Sequence, residues 1–152
     1  MEPVEQDLVQ RLAQAPAWLR AALTDGDHRL TGAGPDHWGV GDIIRHIRAA
    51  DAVLSTRIFH ILIREAAPLP AFDERAWGEL LAAAAIPLDE QIAEFAHRRA
   101  ELVAVLRSLS PDRWQAAGQH ELAGSVTVVD VCRSIAEHEA EHRAQLEGIV
   151  RG

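Results

Sequence analysis

At 152 residues, 48% hydrophobic and 25% charged, the chain has the make-up of a soluble globular protein and the length for one domain, expected to span 1–152. A formal net charge of −8, with all 15 basic residues arginine, excludes nucleic acid as the expected partner, because phosphate binding needs a basic patch. Cys132 is a lone cysteine, "MEPVEQDLVQ" has no signal pattern, and no run approaches the ~18 apolar residues of a membrane span, so the expectation is a cytoplasmic protein without a membrane partner.

The helical pattern begins at the N-terminus, where Val4, Leu8, Leu12, Ala15, Leu19 and Leu23 recur at three- and four-residue steps. Pro16 falls inside that pattern and is expected to kink or restart the helix, since it has no N–H and its ring crowds the carbonyl four residues back. "TDGDHRLTGAGPDHWG" (24–39) is loaded with Gly and Asp and reads as a turn-rich break. A second helix follows from about 40 to 65, with Val40, Ile43, Ile47, Ala50, Leu54, Ile58 and Ile61 on one stripe, and ends before the prolines of "APLPAF". "DERAWGELLAAAA" (73–85) is a shorter helical piece inside a long crossover. The third long helix starts near Leu88 and carries Ile92, Phe95, Leu102, Leu106 and Leu109. "LSPDRWQAAGQHELAGS" (109–125) reads as a loop, and "VTVV" (126–129) is too short to carry a sheet. A fourth helix runs from about Thr127 to Val150. The expected fold class is therefore all-α: a four-helix bundle with a long crossover between helices two and three.

The inward stripe of the fourth helix reads Val131, Ile135, His138, His142, Leu146, Ile149. Two histidines one turn apart on an otherwise aliphatic face are expensive to bury unless something uses them. Their i, i+4 spacing places both rings on one side of the helix, where they can share a metal ion. A third imidazole is available from helix two: His46 lies at the edge of its buried stripe, one turn from Ile43 and Ala50. Three imidazoles converging across a bundle leave at least one coordination position open, the arrangement of a catalytic rather than a closed structural site. His28, His37, His60, His97 and His120 fall in loops or on less apolar faces; His60, about 21 Å along the helix from His46, cannot join the same ion.

His138, Glu139 and His142 also spell H-E-x-x-H, the zinc-protease signature in which the glutamate activates water. The rest of the chain excludes that reading. Such proteases take a third ligand downstream, and "RAQLEGIVRG" offers no His, Asp or Cys and only Glu147; the extended motif needs Gly at 145 and His at 148, where this chain has Gln145 and Gly148.

Three marks in this order resemble the DinB/YfiT-like superfamily of bacterial metal-binding four-helix bundles: "WGVGDIIRHI" with Trp38 and His46, "LSPDRW…HELAGSVTVVDV" with Trp114, His120 and Gly124, and "AEHEAEHRAQLEGI" with His138 and His142. The resemblance implies that His46, His138 and His142 ligate a divalent metal, with zinc the first choice and nickel, iron or copper the others. It implies a thiol-dependent S-transferase of the bacillithiol or mycothiol type, acting in stress response or detoxification on a small-molecule thiol and an electrophile. A non-catalytic metal-stabilised stress protein and a metal-dependent hydrolase are the alternatives. The resemblance also implies a homodimer.

Two secondary candidates remain. Arg99, between Phe95 and Leu102 on the inward stripe of helix three, could hold a carboxylate of a substrate thiol, or else snorkel or pair with a glutamate of helix four. Glu139 could act as a base beside the metal, or else belong with Glu137 and Glu141 to a solvated acidic face. Cys132 reads as a small buried apolar residue, and Trp38 and Trp114 as packing at helix ends.

Overall fold

The structure, a computed structural model, describes residues 1–25 and 38–151. The expected break at 24–39, with His28 and His37, lies outside the described residues except at its two ends. The described elements are α1 (Pro3–Asp25), α2 (Val40–Ile63), β1 (Ala67–Leu69), α3 (Glu74–Ala83), α4 (Leu88–Ser108), α5 (Pro111–Trp114), β2 (Ala117–His120), β3 (Gly124–Thr127) and α6 (Val128–Arg151). The four long helices expected from apolar periodicity are α1, α2, α4 and α6, with α3 in the crossover, so the fold is a four-helix bundle.

Pro16 does not restart α1, which runs unbroken past it. Having no N–H, Pro16 cannot bond the carbonyl of Leu12. That carbonyl accepts instead from Arg99 Nη1 of α4, at 2.9 Å. Val4, counted on the apolar stripe, is half exposed in the first turn.

Where the pattern reads as loops, the backbone forms a small sheet in the order β1-β2-β3. β1 pairs parallel with β2, Pro68 opposite Gln119, and β2 pairs antiparallel with β3, Gly118 opposite Val126. The approach at Gly118 is tight: a Cβ there would meet Leu69 Cδ1 at 2.8 Å and the Ala67 carbonyl at 2.9 Å. The β2–β3 turn closes through Gly124 at φ +74°, a conformation glycine adopts without strain. His120 Nδ1 accepts from the N–H groups of Leu122 and Ala123 in the same turn. The last strand runs directly into α6, whose start is capped reciprocally: Asp130 Oδ2 accepts from Thr127 N and Oγ1, and Asp130 N donates to Thr127 Oγ1.

α4 and α6 each pack against both α1 and α2, so the bundle runs around the square as α1, α4, α2, α6. Consecutive α1 and α2 stand on a diagonal, and α2 lies beside α6. The core forms two apolar clusters. One holds Leu12, Ala50, Leu54, Ile58, Leu102 and Ile135; the other holds Leu19, Ile43, Ile47, Ile92, Phe95 and Leu146. Between them in sequence fall Arg99 on α4 and Glu139 on α6, and Asp51 follows Ala50 on α2; all three are buried. No helix among the described residues is long and apolar enough to cross a membrane.

Candidate metal centre

The adjacency of α2 and α6 decides which histidines meet. His46 sits two turns into α2, past a start where Asp42 Oδ2 accepts from Gly39 N at 2.9 Å. His138 and His142 project one turn apart from α6. The three Nε2 atoms face one another: His46 to His138 at 2.8 Å and His138 to His142 at 3.1 Å, with the possible ligand atoms of the trio all within 4.8 Å. His46 and His142 are each 8% exposed, and His138 is half-buried.

Burial, reinforced by the neighbouring imidazoles of His142 and His138, lowers His46 to about 4. Burial and then His142 lower His138 to about 4 as well. Both rings are therefore neutral near pH 7, with lone pairs available to a cation. His142 Nδ1–H donates to the Gln145 amide oxygen at 2.8 Å, which turns its Nε2 lone pair toward the cluster. One shared proton cannot serve three converging nitrogens, because His138 Nε2 faces both others. A single cation would serve all three. Zn–N bonds of about 2.0–2.1 Å at tetrahedral angles separate neighbouring nitrogens by roughly 3.3 Å; the His46–His138 and His138–His142 spacings of 2.8 Å and 3.1 Å are shorter than that, and the trio as a whole lies within 4.8 Å. The donor set fits a divalent metal. His46 Nδ1 is buried without a hydrogen-bond partner among the described residues.

Two further residues border the cluster. Trp38 packs at the start of α2, as expected of a helix-end residue. Its indole also lies on the centre, 4.8 Å from the His46 ring and stacked at 18° and 5.9 Å on His142. Glu74, the first residue of α3, has no counterpart in the sequence reading. Its Oε2 lies 3.3 Å from His46 Nε2 and 3.6 Å from His138 Nε2. Only an acidic residue opening a predicted crossover helix pointed to it, and sequence alone cannot say over which end of the bundle a crossover lies.

Arg99 and Glu139 have other engagements. Arg99 is 1% exposed; it donates to Glu139 Oε1 at 2.5 Å, Glu139 Oε2 at 3.2 Å, Asp51 Oδ1 at 2.7 Å and the Leu12 carbonyl. The guanidinium also lies over the Phe95 ring. Burial alone would lower Arg99, but Glu139 and Asp51 outweigh it and hold the guanidinium above its ordinary range. Pairing with a glutamate of helix four is thus what α4 and α6 place here, and the side chain faces the bundle interior. Glu139 is correspondingly not on a solvated acidic face: it is 5% exposed, and burial pushes its carboxyl up against the opposing pull of Arg99. Asp51 also accepts from Ser55 Oγ and from Arg98, so two arginines face two carboxylates in a layer of balanced charge.

The other residues singled out are structural. His60 and His97 are exposed, and His120 closes the hairpin turn. Trp114 is fully buried in the core. Cys132 is buried too, and burial pushes its thiol up to about 12, beyond reach of easy ionisation.

The DinB superfamily profile matches residues 6–146. Among solved structures, the chain is similar to YfiT from Bacillus subtilis, a probable metal-dependent hydrolase with an unusual four-helix bundle topology. The two superpose with a TM-score of 0.87 at 21% identity, over 99% of this chain and 89% of that one. No curated protein matches the chain.

Proposed function

The chain belongs to the DinB superfamily, and from that premise we propose that it is a metal-dependent thiol S-transferase of the bacillithiol or mycothiol type. In this reading His46, His138 and His142 hold one divalent cation. The observation that carries it is the convergence of three Nε2 atoms, two of them on rings held neutral, at a point bordered by an indole and a carboxylate. A divalent cation supplies a lowered thiol pKa and a thiolate ready to attack an electrophile. The chain's own residues do the rest. Gln145 holds the His142 ring in orientation, Trp38 shields two imidazoles from water on one side, and the Arg99 layer fixes α4, α2 and α6 behind the ligands. Cys132, buried and with its thiol held protonated, is unsuited to replace an exogenous thiol. We place the activity in the cytoplasm, in detoxification of small electrophiles, and propose a homodimer as the working form.

The test combines the zinc- or nickel-loaded protein, bacillithiol or mycothiol, and a model electrophile. Acceleration that disappears in His46→Ala is expected. No acceleration over His46→Ala, across several thiols and metals, would falsify the transferase. Hydrolysis is the second reading, favoured by the description of YfiT: there the same centre activates water, and the loaded protein cleaves a model ester or amide without thiol.

A further inference from the structure

Glu74 stands apart from the three histidines in the chain and comes from a different element, yet its carboxylate meets two of them. Lone pairs of imidazole nitrogens and a carboxylate oxygen repel one another unless something positive lies among them. The Oε2 separations of 3.3 Å and 3.6 Å from His46 and His138 Nε2 are those of donors around one ion, since metal–ligand bonds of about 2.0–2.2 Å place neighbours roughly 3.3–3.5 Å apart.

The approach to this position is anchored. Asp73 caps α3 by accepting from Ala76 N at 3.0 Å. Just upstream, Arg57 Nη2 donates to the Pro70 carbonyl at 2.6 Å and Glu121 Oε2 accepts from Ala71 N at 2.9 Å. α3 packs on α2 but lies shallow: it contains no buried residue, and Leu80 is 70% exposed.

We propose that Glu74 is a fourth ligand of the divalent cation, and that the bound ion pins α3 against the bundle. The proposal rests on the metal-centre reading of the three histidines. It replaces an open coordination position by one closed with a carboxylate on a shallow helix. A substrate then reaches the ion by displacing Glu74, and α3 moves with it.

Cobalt(II) titrated into wild type, Glu74→Gln, Glu74→Ala and His46→Ala tests this through three readouts: visible absorption, competition with a chelator, and amide hydrogen exchange over 74–83. The expected result is an affinity lower by at least about 10-fold in both Glu74 variants, since a direct ligand matters no less than an orienting partner, with an altered cobalt spectrum. Cobalt should slow exchange in α3 of wild type and leave it unchanged in the Glu74 variants. If both Glu74 variants keep wild-type affinity, spectrum and α3 protection while His46→Ala loses the ion, the histidine centre stands and the fourth ligand is wrong. Wild type that takes up neither cobalt nor zinc overturns both together.

Discussion

Gln145 and the three imidazoles show how much of a candidate metal centre depends on single hydrogen bonds. Gln145 touches no ion, yet it decides which nitrogen of His142 carries the proton. Its replacement by alanine should weaken zinc binding about 10- to 100-fold, as loss of such orienting partners does, with the melting temperature of the metal-free protein little changed. Chelator competition measures the first and thermal unfolding the second. The depressed pKa values of His46 and His138 also carry a sign. Between about pH 6.5 and 4 the unfolded chain binds protons that these two folded rings refuse. Stability of the metal-free protein should therefore fall as pH drops through that window, the contribution of these two rings levelling off below it while carboxylates such as Asp130, held below their ordinary range, take over the decline. Denaturant titrations at stepped pH check this, and His138→Asn should flatten the slope; an equally steep profile in that variant would assign it to other groups. The histidines were legible in the sequence because they interrupt an aliphatic stripe. Gln145 and Glu74 interrupt nothing, and their roles exist only once α6 and α3 are placed in space.

At the scale of elements, the layer of Asp51, Arg99 and Glu139 joins α2, α4 and α6. Arg99→Met deprives two buried carboxylates of their main cation. It should destabilise the fold by about 3–5 kcal/mol, the usual consequence of breaking a buried pair from one side, as read in chemical denaturation. Replacing all three by apolar residues of similar volume should recover most of that loss. The bundle helices were readable because a 3.6-residue period over twenty or more residues leaves little ambiguity. The sheet was not. Its strands are three or four residues long, and β1 pairs with a segment 51 residues later, Ala67 with Gly118, so neither alternation nor local turn chemistry announces it. The start of α6 was legible for the opposite reason: the Thr127–Asp130 cap is entirely local.

The whole molecule runs its chain so that neighbouring helices in space, α2 and α6, are far apart in sequence, and the candidate centre spans that gap from His46 to His138. A metal that binds there ties both ends of the fold together. At a free concentration 100 times its Kd it should add about 2.7 kcal/mol, or roughly 5–10 °C in melting temperature for a chain of this size, and calorimetry with and without chelator measures that. Pro16 carries a consequence of a different kind. A residue that should interrupt a helix leaves the Leu12 carbonyl free, and that carbonyl accepts from Arg99, 87 positions further along the chain. Positions 16 and 99 are therefore epistatic: in a double-mutant cycle, Pro16→Ala should be tolerated better once Arg99 is Met than in the parent, by a coupling of about 0.5–3 kcal/mol. A designer who "repairs" the helix by removing its proline would be editing a buried ion pair that belongs to three other helices.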